Sequence, residues 1–465
     1  MGESFVDPNG RVFEWRGEIY RVLEAEYAAR WRELAADGTI GKLIADGLLV
    51  DSDLTSLTTE TGMAVLQHRR VPVISYCYEW TPGMLKDAAL LTVDLCIRLA
   101  ERGLTLQDGH PWNILFEGTK PIYIDAGSLV PARDDILWAP YQQFCNFFLF
   151  PLYLYAAGWD HIARWLMRDY LAGVSDTDLL AALPASFKLL HPQRTLGVAI
   201  PKAAGTLFEH LPEYIQRRFL SISKIANSGP GQGRLKHKFF SSLRENIASL
   251  KLNRQTSHWA RYYDSSDPRY FQSELSPGEW QSKYQAVGKI LGGLRPKSVL
   301  DVGANSGRYA DLAAAGGARV TACEVDSATL ALCYESARSK GLNILPLAVN
   351  VFGTAPTPGR GGIACAAPIE RFKSEMVMGL AVVHHVVALQ RLPISRICEH
   401  FAALSDRWLL VEFVTALKPK FGASAVPRLD DYTADDMESC LKAHFKTVIC
   451  HPSFPAERML FLCEK

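Results

Sequence analysis

The chain has 465 residues, 48% hydrophobic and 21% charged, enough for two or three domains that each bury a core. With 50 Lys and Arg against 49 Asp and Glu the formal net charge is +1, which lacks the strong basic excess of a nucleic-acid binder. Ten cysteines, mostly in apolar runs and with no CxxC pair, suggest neither a metal site nor a disulfide framework, and read as reduced thiols of a cytoplasmic protein.

The first fifteen residues lack the basic start and apolar centre of a signal peptide, and Val6 breaks the myristoylation pattern. Residues 1–135 mix short β-type runs with amphipathic helices. Within them stands Gln107-Asp108-Gly109-His110-Pro111-Trp112-Asn113, followed by Ile-Leu-Phe and then by Tyr123-Ile124-Asp125-Ala-Gly. Asp108 and Asn113 are five apart, and Asp125 comes twelve later, after an apolar strand. The stretch resembles the catalytic loop of aminoglycoside-type phosphotransferases. The resemblance implies an α+β kinase-like domain in which Asp108 orients a hydroxyl while Asn113 and Asp125 hold magnesium on phosphates. The chain departs from that pattern in three ways. Leu106 stands where a histidine is usual, no glycine-rich loop precedes the motif, and the strand lysine has no candidate. Lys42 falls in a helical stretch and Lys86 near a helix start. Three polar residues also suffice for a hydrogen-bonded scaffold, so a working kinase site and an accessory scaffold both stand at this point.

Residues 136–250 read as mostly helical. The most apolar run, Phe144–Gly158, is too short to cross a bilayer and contains Pro151, so it is expected to be a buried helix. Residues 227–234, with three glycines and a proline, read as a linker, and the basic run Arg234, Lys236, His237, Lys238 as solvated. The expected division is 1–250 and 255–465.

From residue 255 strands and helices alternate, the pattern of a parallel sheet covered on both faces. Trp259, Tyr262, Tyr263, Trp280 and Tyr284 precede the first strand and are expected to fold over a ligand pocket, where Tyr263 or Tyr284 either touches the ligand or packs in the core. Ser298–Val302 is a buried strand ending in Asp301-x-Gly303-x-Asn305-x-Gly307, and the helix Arg308–Ala315 follows. Glycines there let the backbone turn tightly and come close to a ligand at the carboxyl end of the strand. Residues 318–323 form the second strand, and Glu324 stands at its end, 17 residues after Gly307, placed to accept hydrogen bonds from ribose hydroxyls. Ser327 is expected to cap the next helix, to about Lys340. Further strands are expected at 342–349, followed by Asn350; at 376–383, with His384 and His385 at its end; at 407–411; and as an antiparallel pair at 446–450 and 458–463. Residues 354–362 read as a loop.

The spacing is not the GxGxxG of a dinucleotide dehydrogenase. It resembles motif I of the class I S-adenosylmethionine-dependent methyltransferases. LDVGANSG, LAVVHH, WLLVEF and DDYT together resemble a bacterial family of nodulation-type methyltransferases with long N-terminal extensions. The resemblance implies an α/β fold with a Rossmann-like seven-stranded methyltransferase sheet and S-adenosylmethionine as cofactor. It places Asp301, Gly303, Asn305, Gly307, Glu324, Asn350 and Tyr263 around that cofactor, and His384 or His385 beside a small-molecule acceptor, one of them as base. At Asn350 the family usually has Asp. Three readings follow: a methyltransferase with a kinase-like accessory domain, a bifunctional kinase-methyltransferase, and a non-catalytic ligand-binding protein. The acceptor and the oligomeric state are left open by the sequence.

Overall fold

The computed structural model describes the chain except residues 1–8, 61, 134–137, 200–231, 254, 263–276, 354–356, 359–363, 416–431 and 455–457. Most of the expected linker 227–234 and loop 354–362, and Tyr263, lie outside the described residues, as does the side chain of Trp280.

The N-terminal region begins with strands β1 (Gly10–Trp15), β2 (Glu18–Leu23), β3 (Ser52–Thr58) and β4 (Ala64–His68), an antiparallel sheet of order β1-β2-β4-β3. Helices Ala25–Ala36 and Thr39–Ala45 separate β2 from β3. Helix Pro82–Ala100 follows, started by Thr81, whose hydroxyl accepts from the Met84 N–H. Short antiparallel pairs come next: β5 (Leu104–Leu106) with β8 (Leu129–Pro131), and β6 (Ile114–Glu117) with β7 (Lys120–Tyr123). The apolar run at 144–158 is a buried helix, broken by a π turn at Cys145–Leu149. Pro151 sits in the first turn after it, where a missing N–H costs least. Among the described residues no helix is long and apolar enough to cross a membrane. The basic run is not in a linker. Its residues lie in helix Gln232–Ala248, and Lys236 is buried with its ammonium on the Arg133 carbonyl, 2.6 Å away.

The C-terminal region holds β9 (Ser298–Val302), β10 (Arg319–Cys323), β11 (Ile344–Leu347), the short pair β12 (Thr357–Pro358) and β13 (Ala364–Cys365), then β14 (Ser374–Gly379), β15 (Ser405–Val414), β16 (Thr447–Pro452) and β17 (Arg458–Glu464). Seven of them form one mixed sheet of order β11-β10-β9-β14-β15-β17-β16, in which only β17 runs antiparallel to its neighbours. This is the sheet that the methyltransferase resemblance implies. Successive side chains leave a strand on opposite faces. Leu300, Val302, Val377, Leu409, Val411 and Phe461 accordingly join one core, and Val299, Met376, Met378, Leu410 and Leu460 a second. The same alternation puts Asp301, Glu412 and Arg458 on the face of the second core. Helix Pro277–Leu294 covers that face with Val287 and Leu291.

The first core is shared with the N-terminal region. It runs without a break from Leu23 and Trp31 through Trp80 and Phe148 to Leu345, Val377 and Phe401. The seam is polar and specific. The Ala348 N–H donates to the Glu79 carbonyl at the end of β11 (2.7 Å), and Tyr334 donates to Asp87 (2.6 Å). Arg371 forks onto the Glu79 carboxylate, both side chains being about 95% buried. Burial raises the Glu79 carboxyl against the pull of that guanidinium.

Several expected boundaries move: β11 is shorter than the expected 342–349, and β15 is longer than the expected 407–411. The fourth strand of the sheet stops at Gly379 rather than 383, because the chain turns through Ala381 at φ +53° and starts helix Val383–Gln390. Ser327 is not the cap of its helix. Asp326 is, with its carboxylate on the Thr329 N–H, and Ser327 instead receives a bond from Arg164 of the N-terminal region (2.7 Å).

Candidate active site

The carboxyl ends of β9, β10 and β14 converge with the turns that follow them. Gly303 and Gly307 are both left-handed, at φ +73° and +85°. A Cβ on Gly307 would lie 2.6 Å from Cys333 Sγ, and one on Gly303 3.0 Å from Val382. Asn305 between them is also left-handed, a strain Asn tolerates better than most residues. The turn is held by the next strand: the Asn305 N–H donates to Glu324 Oε2 (3.0 Å), and Val325 and Asp326 N–H donate to Oε1 (2.7 and 3.0 Å). Glu324 is thereby fixed directly against the glycine turn. Its carboxyl is nonetheless pushed up, mainly by burial.

Asp301 is buried beneath this turn at the start of helix Arg308–Ala315. Its Oδ2 has no hydrogen-bond partner among the described residues. Burial first, then the Glu324 charge, push its pKa up to about 7. A buried carboxylate oxygen without a donor is costly unless something fills the gap.

His384 and His385 occupy the first turn of helix Val383–Gln390, with rings 4.0 Å apart. His384 Nδ1 is buried without a partner among the described residues. Burial, His385, and the cations Arg458 and Lys283 drive its pKa down to about 3. It is therefore a neutral imidazole near pH 7. His385 stands edge-on to Trp259, 5.1 Å between centroids, and the Trp259 carbonyl accepts from the Asn305 amide (3.3 Å). Ser257 reaches Asp326 (2.9 Å). The segment 257–262 thus spans the glycine turn, the end of β10 and the histidines. Trp259 belongs among the lid aromatics read from the sequence, but nothing in its spacing singles it out as the one that meets His385. Tyr284 faces Arg308, whose guanidinium lies 5.0 Å from the ring centroid. Asn350 lies beyond the end of β11, exposed, its carboxamide bonded to Gln390 (3.0 Å) and to the Phe352 N–H (3.1 Å).

The N-terminal constellation also assembles. Asn113 donates to Asp125 Oδ2 (3.2 Å), and the Gly127 N–H donates to Oδ1 (3.0 Å). Asp108 lies on the neighbouring turn, 3.6 Å from His110. The residue that sequence reasoning missed is Arg21. It projects from β2 with its side chain 6% exposed, and binds Asp125 Oδ1 at 2.6 Å. A search for a strand lysine passes over it because the cation is an arginine. Lys86 is engaged elsewhere, on the Ala248 and Leu250 carbonyls. The turn between β1 and β2 is only Arg16-Gly17, both left-handed, a tight hairpin with no glycine-rich cradle. No group of His, Cys, Asp or Glu side chains among the described residues is arranged to hold a metal.

No family model matches the chain. It is 27% identical to the nodulation protein NoeA of Rhizobium meliloti (strain 1021) over 478 aligned positions, covering 99% of this chain and 95% of that protein. Among solved structures it is similar to magnesium protoporphyrin IX methyltransferase from Synechocystis PCC 6803 with bound SAM (17% identity, 45% of this chain, 89% of that one, TM-score 0.33). It is also similar to the bifunctional kinase-methyltransferase WbdD (16% identity, 48% of this chain, 45% of that one, TM-score 0.31).

Proposed function

We propose that this relative of NoeA is an S-adenosylmethionine-dependent methyltransferase acting on a small or medium-sized acceptor, with its N-terminal region as an accessory domain. The observation that carries the reading is the pairing of Glu324 with the glycine turn 303–307 above a buried Asp301 whose Oδ2 lacks a donor among the described residues. Those residues fit the cofactor. Glu324 would accept the ribose hydroxyls, since each carboxylate oxygen takes more than one bond. The glycines leave room for close approach. Asp301, ionised, would face the positive charge of the methionine portion. Asn350 would lie on the adenine side.

The cofactor supplies an electrophilic methyl group on a sulfonium. The chain supplies alignment and dryness. Trp259 and His385 wall the site. His384, neutral, orients an acceptor atom by accepting or donating one hydrogen bond and does not store a proton near pH 7.

The N-terminal region is best read as a scaffold for the methyltransferase sheet. Both Asp125 oxygens already have donors, from Arg21, Gly127 and Asn113. A magnesium ion would have to displace them. Calorimetry tests the whole reading. Heat on titrating S-adenosylmethionine, and none with ATP-magnesium, is expected. ATP-magnesium binding would revive the bifunctional alternative, and absence of S-adenosylmethionine binding would end the reading.

A further inference from the structure

Three segments from distant parts of the chain meet beside the glycine turn. The first is helix Asp160–Leu166 of the N-terminal region. Ala163 and Met167, both fully buried, seat it in the first core. Asp160 and Arg164 are four residues apart and share one of its faces. The second is the loop Glu324–Ser327 at the end of β10, whose Glu324 is bonded to the glycine turn. The third is the strap 255–262, which carries Trp259.

Each pair of segments is bonded. Arg164 Nη1 donates to Ser327 Oγ at 2.7 Å, joining helix to loop. Ser257 donates to Asp326 Oδ1 at 2.9 Å, joining strap to loop. Gln255 Nε2 donates to the Gly158 carbonyl at 2.7 Å and to Asp160 Oδ1 at 3.2 Å, joining strap to helix. Gly158 is left-handed at φ +87°, and a Cβ there would lie 2.8 Å from the Asn253 amide, so the chain entering the strap runs close against it. The circuit is closed: displacing any one segment breaks its bonds to the other two.

From the circuit the strap crosses the sheet. β10, β9 and β14 are neighbours in that order. Ser257 contacts the end of β10, the Trp259 carbonyl accepts from Asn305 after β9, and the Trp259 ring meets His385 after β14.

From this closed circuit we infer that Arg164, Asp160 and Gln255 are positioning residues for the cofactor: the N-terminal helix holds both the loop that presents Glu324 and the strap that crosses the bound S-adenosylmethionine. The inference rests on the methyltransferase reading above and goes beyond it, because it gives the N-terminal region control of cofactor release. A ligand clasped by Glu324 and the glycine turn sits under the crossing and leaves when the strap lifts. The three residues act through Ser327, Asp326 and Trp259, not on the reacting atoms.

The test uses the full chain loaded with labelled S-adenosylmethionine, and follows release after a chase of unlabelled cofactor. Gln255→Ala and, separately, Arg164→Met are expected to speed release about three- to tenfold, the range that loss of a hydrogen bond produces. The double variant Arg164→Met with Ser327→Ala should release no faster than Arg164→Met alone, because both changes remove the same bond. A merely structural role would lower the urea midpoint of the cofactor-free variants and leave the release rate as it was. Release at the wild-type rate from either folded single variant overturns the inference and leaves the methyltransferase reading intact. Additive acceleration in the double variant overturns it too. Gln255→Ala removes no charge and decides the question where Arg164→Met fails to fold. Absence of S-adenosylmethionine binding by the wild-type chain overturns the methyltransferase reading itself.

Discussion

Two clusters in this molecule bring carboxylates to the ends of strands, and they differ in what completes them. At the C-terminal site Asp301 is buried with one oxygen lacking a donor among the described residues, and burial and Glu324 push its pKa up to about 7. At the N-terminal site Asp125 is fully served, by a guanidinium at 2.6 Å, a backbone N–H and an amide. Similar residue types, read as motifs, look equally functional. The electrostatic accounts separate them. On the proposed reading, the first site carries a demand that a cationic ligand would answer, while at the other Arg21 already pairs with Asp125. Stored cost of that kind is more characteristic of functional positions than of scaffold.

The contrast breaks most sharply at the glycine turn. Gly303→Val should abolish S-adenosylmethionine binding in calorimetry. A β-branched residue held at φ +73° costs about 1–3 kcal/mol in backbone strain alone. Its Cβ would also press on Val382 at 3.0 Å. Retained affinity would mean that the turn is not the cofactor's cradle.

The next effect concerns how the two regions are joined. Arg371→Ala leaves Glu79 buried and uncompensated, and breaking such a pair costs about 3–5 kcal/mol. Urea denaturation should show one transition shifted to lower denaturant, because the core is continuous across the seam. Two transitions, with only one displaced, would show that the regions fold separately.

Much of this was legible in the sequence, and the losses have physical causes. The motif 301–307, Glu324 and the succession of strands along the chain follow from local apolar runs and glycine spacing, which act over a few residues; the order of strands across the sheet does not. The end of β14 was misplaced because 376–383 is uniformly apolar, and a turn at Ala381 leaves no mark in an apolar run. Arg21 and Arg164 were invisible for another reason. Each acquires its role from a partner 104 or 163 positions away, through strand alternation and helix docking rather than spacing.

A smaller effect sharpens the electrostatic half of the comparison. Folding raises the Asp301 carboxyl from its ordinary 3.8 to about 7. The ionised form is thus penalised in the fold, and this group's contribution to stability falls as pH rises from about 4 to 7. A positively charged cofactor prefers the ionised form, so its binding should strengthen over the upper part of that window. Affinity is expected to weaken below pH 7 by up to about tenfold per pH unit. In Asp301→Asn it should be weaker at pH 8 and nearly flat with pH. A wild-type affinity independent of pH between 5.5 and 8 would remove Asp301 from the site.

The smallest expected change is at the other carboxylate. Asp125→Ala removes the carboxylate that Arg21 and the Asn113 amide bond, which should lower stability by about 1–3 kcal/mol, the cost of losing a charged hydrogen bond. Its influence on methyl transfer should be less than about twofold, because Arg21 lies on β2, Asp125 follows β7, and the bonds of Asp125 go to Arg21, Asn113 and Gly127 of the same region. Denaturation and initial rates with labelled cofactor measure the two effects on the same preparation. If the rate collapses in a protein that is still folded and still binds S-adenosylmethionine, then Asp125 does more than hold its own region together. The N-terminal cluster would then have to be counted as part of the machinery that delivers the acceptor.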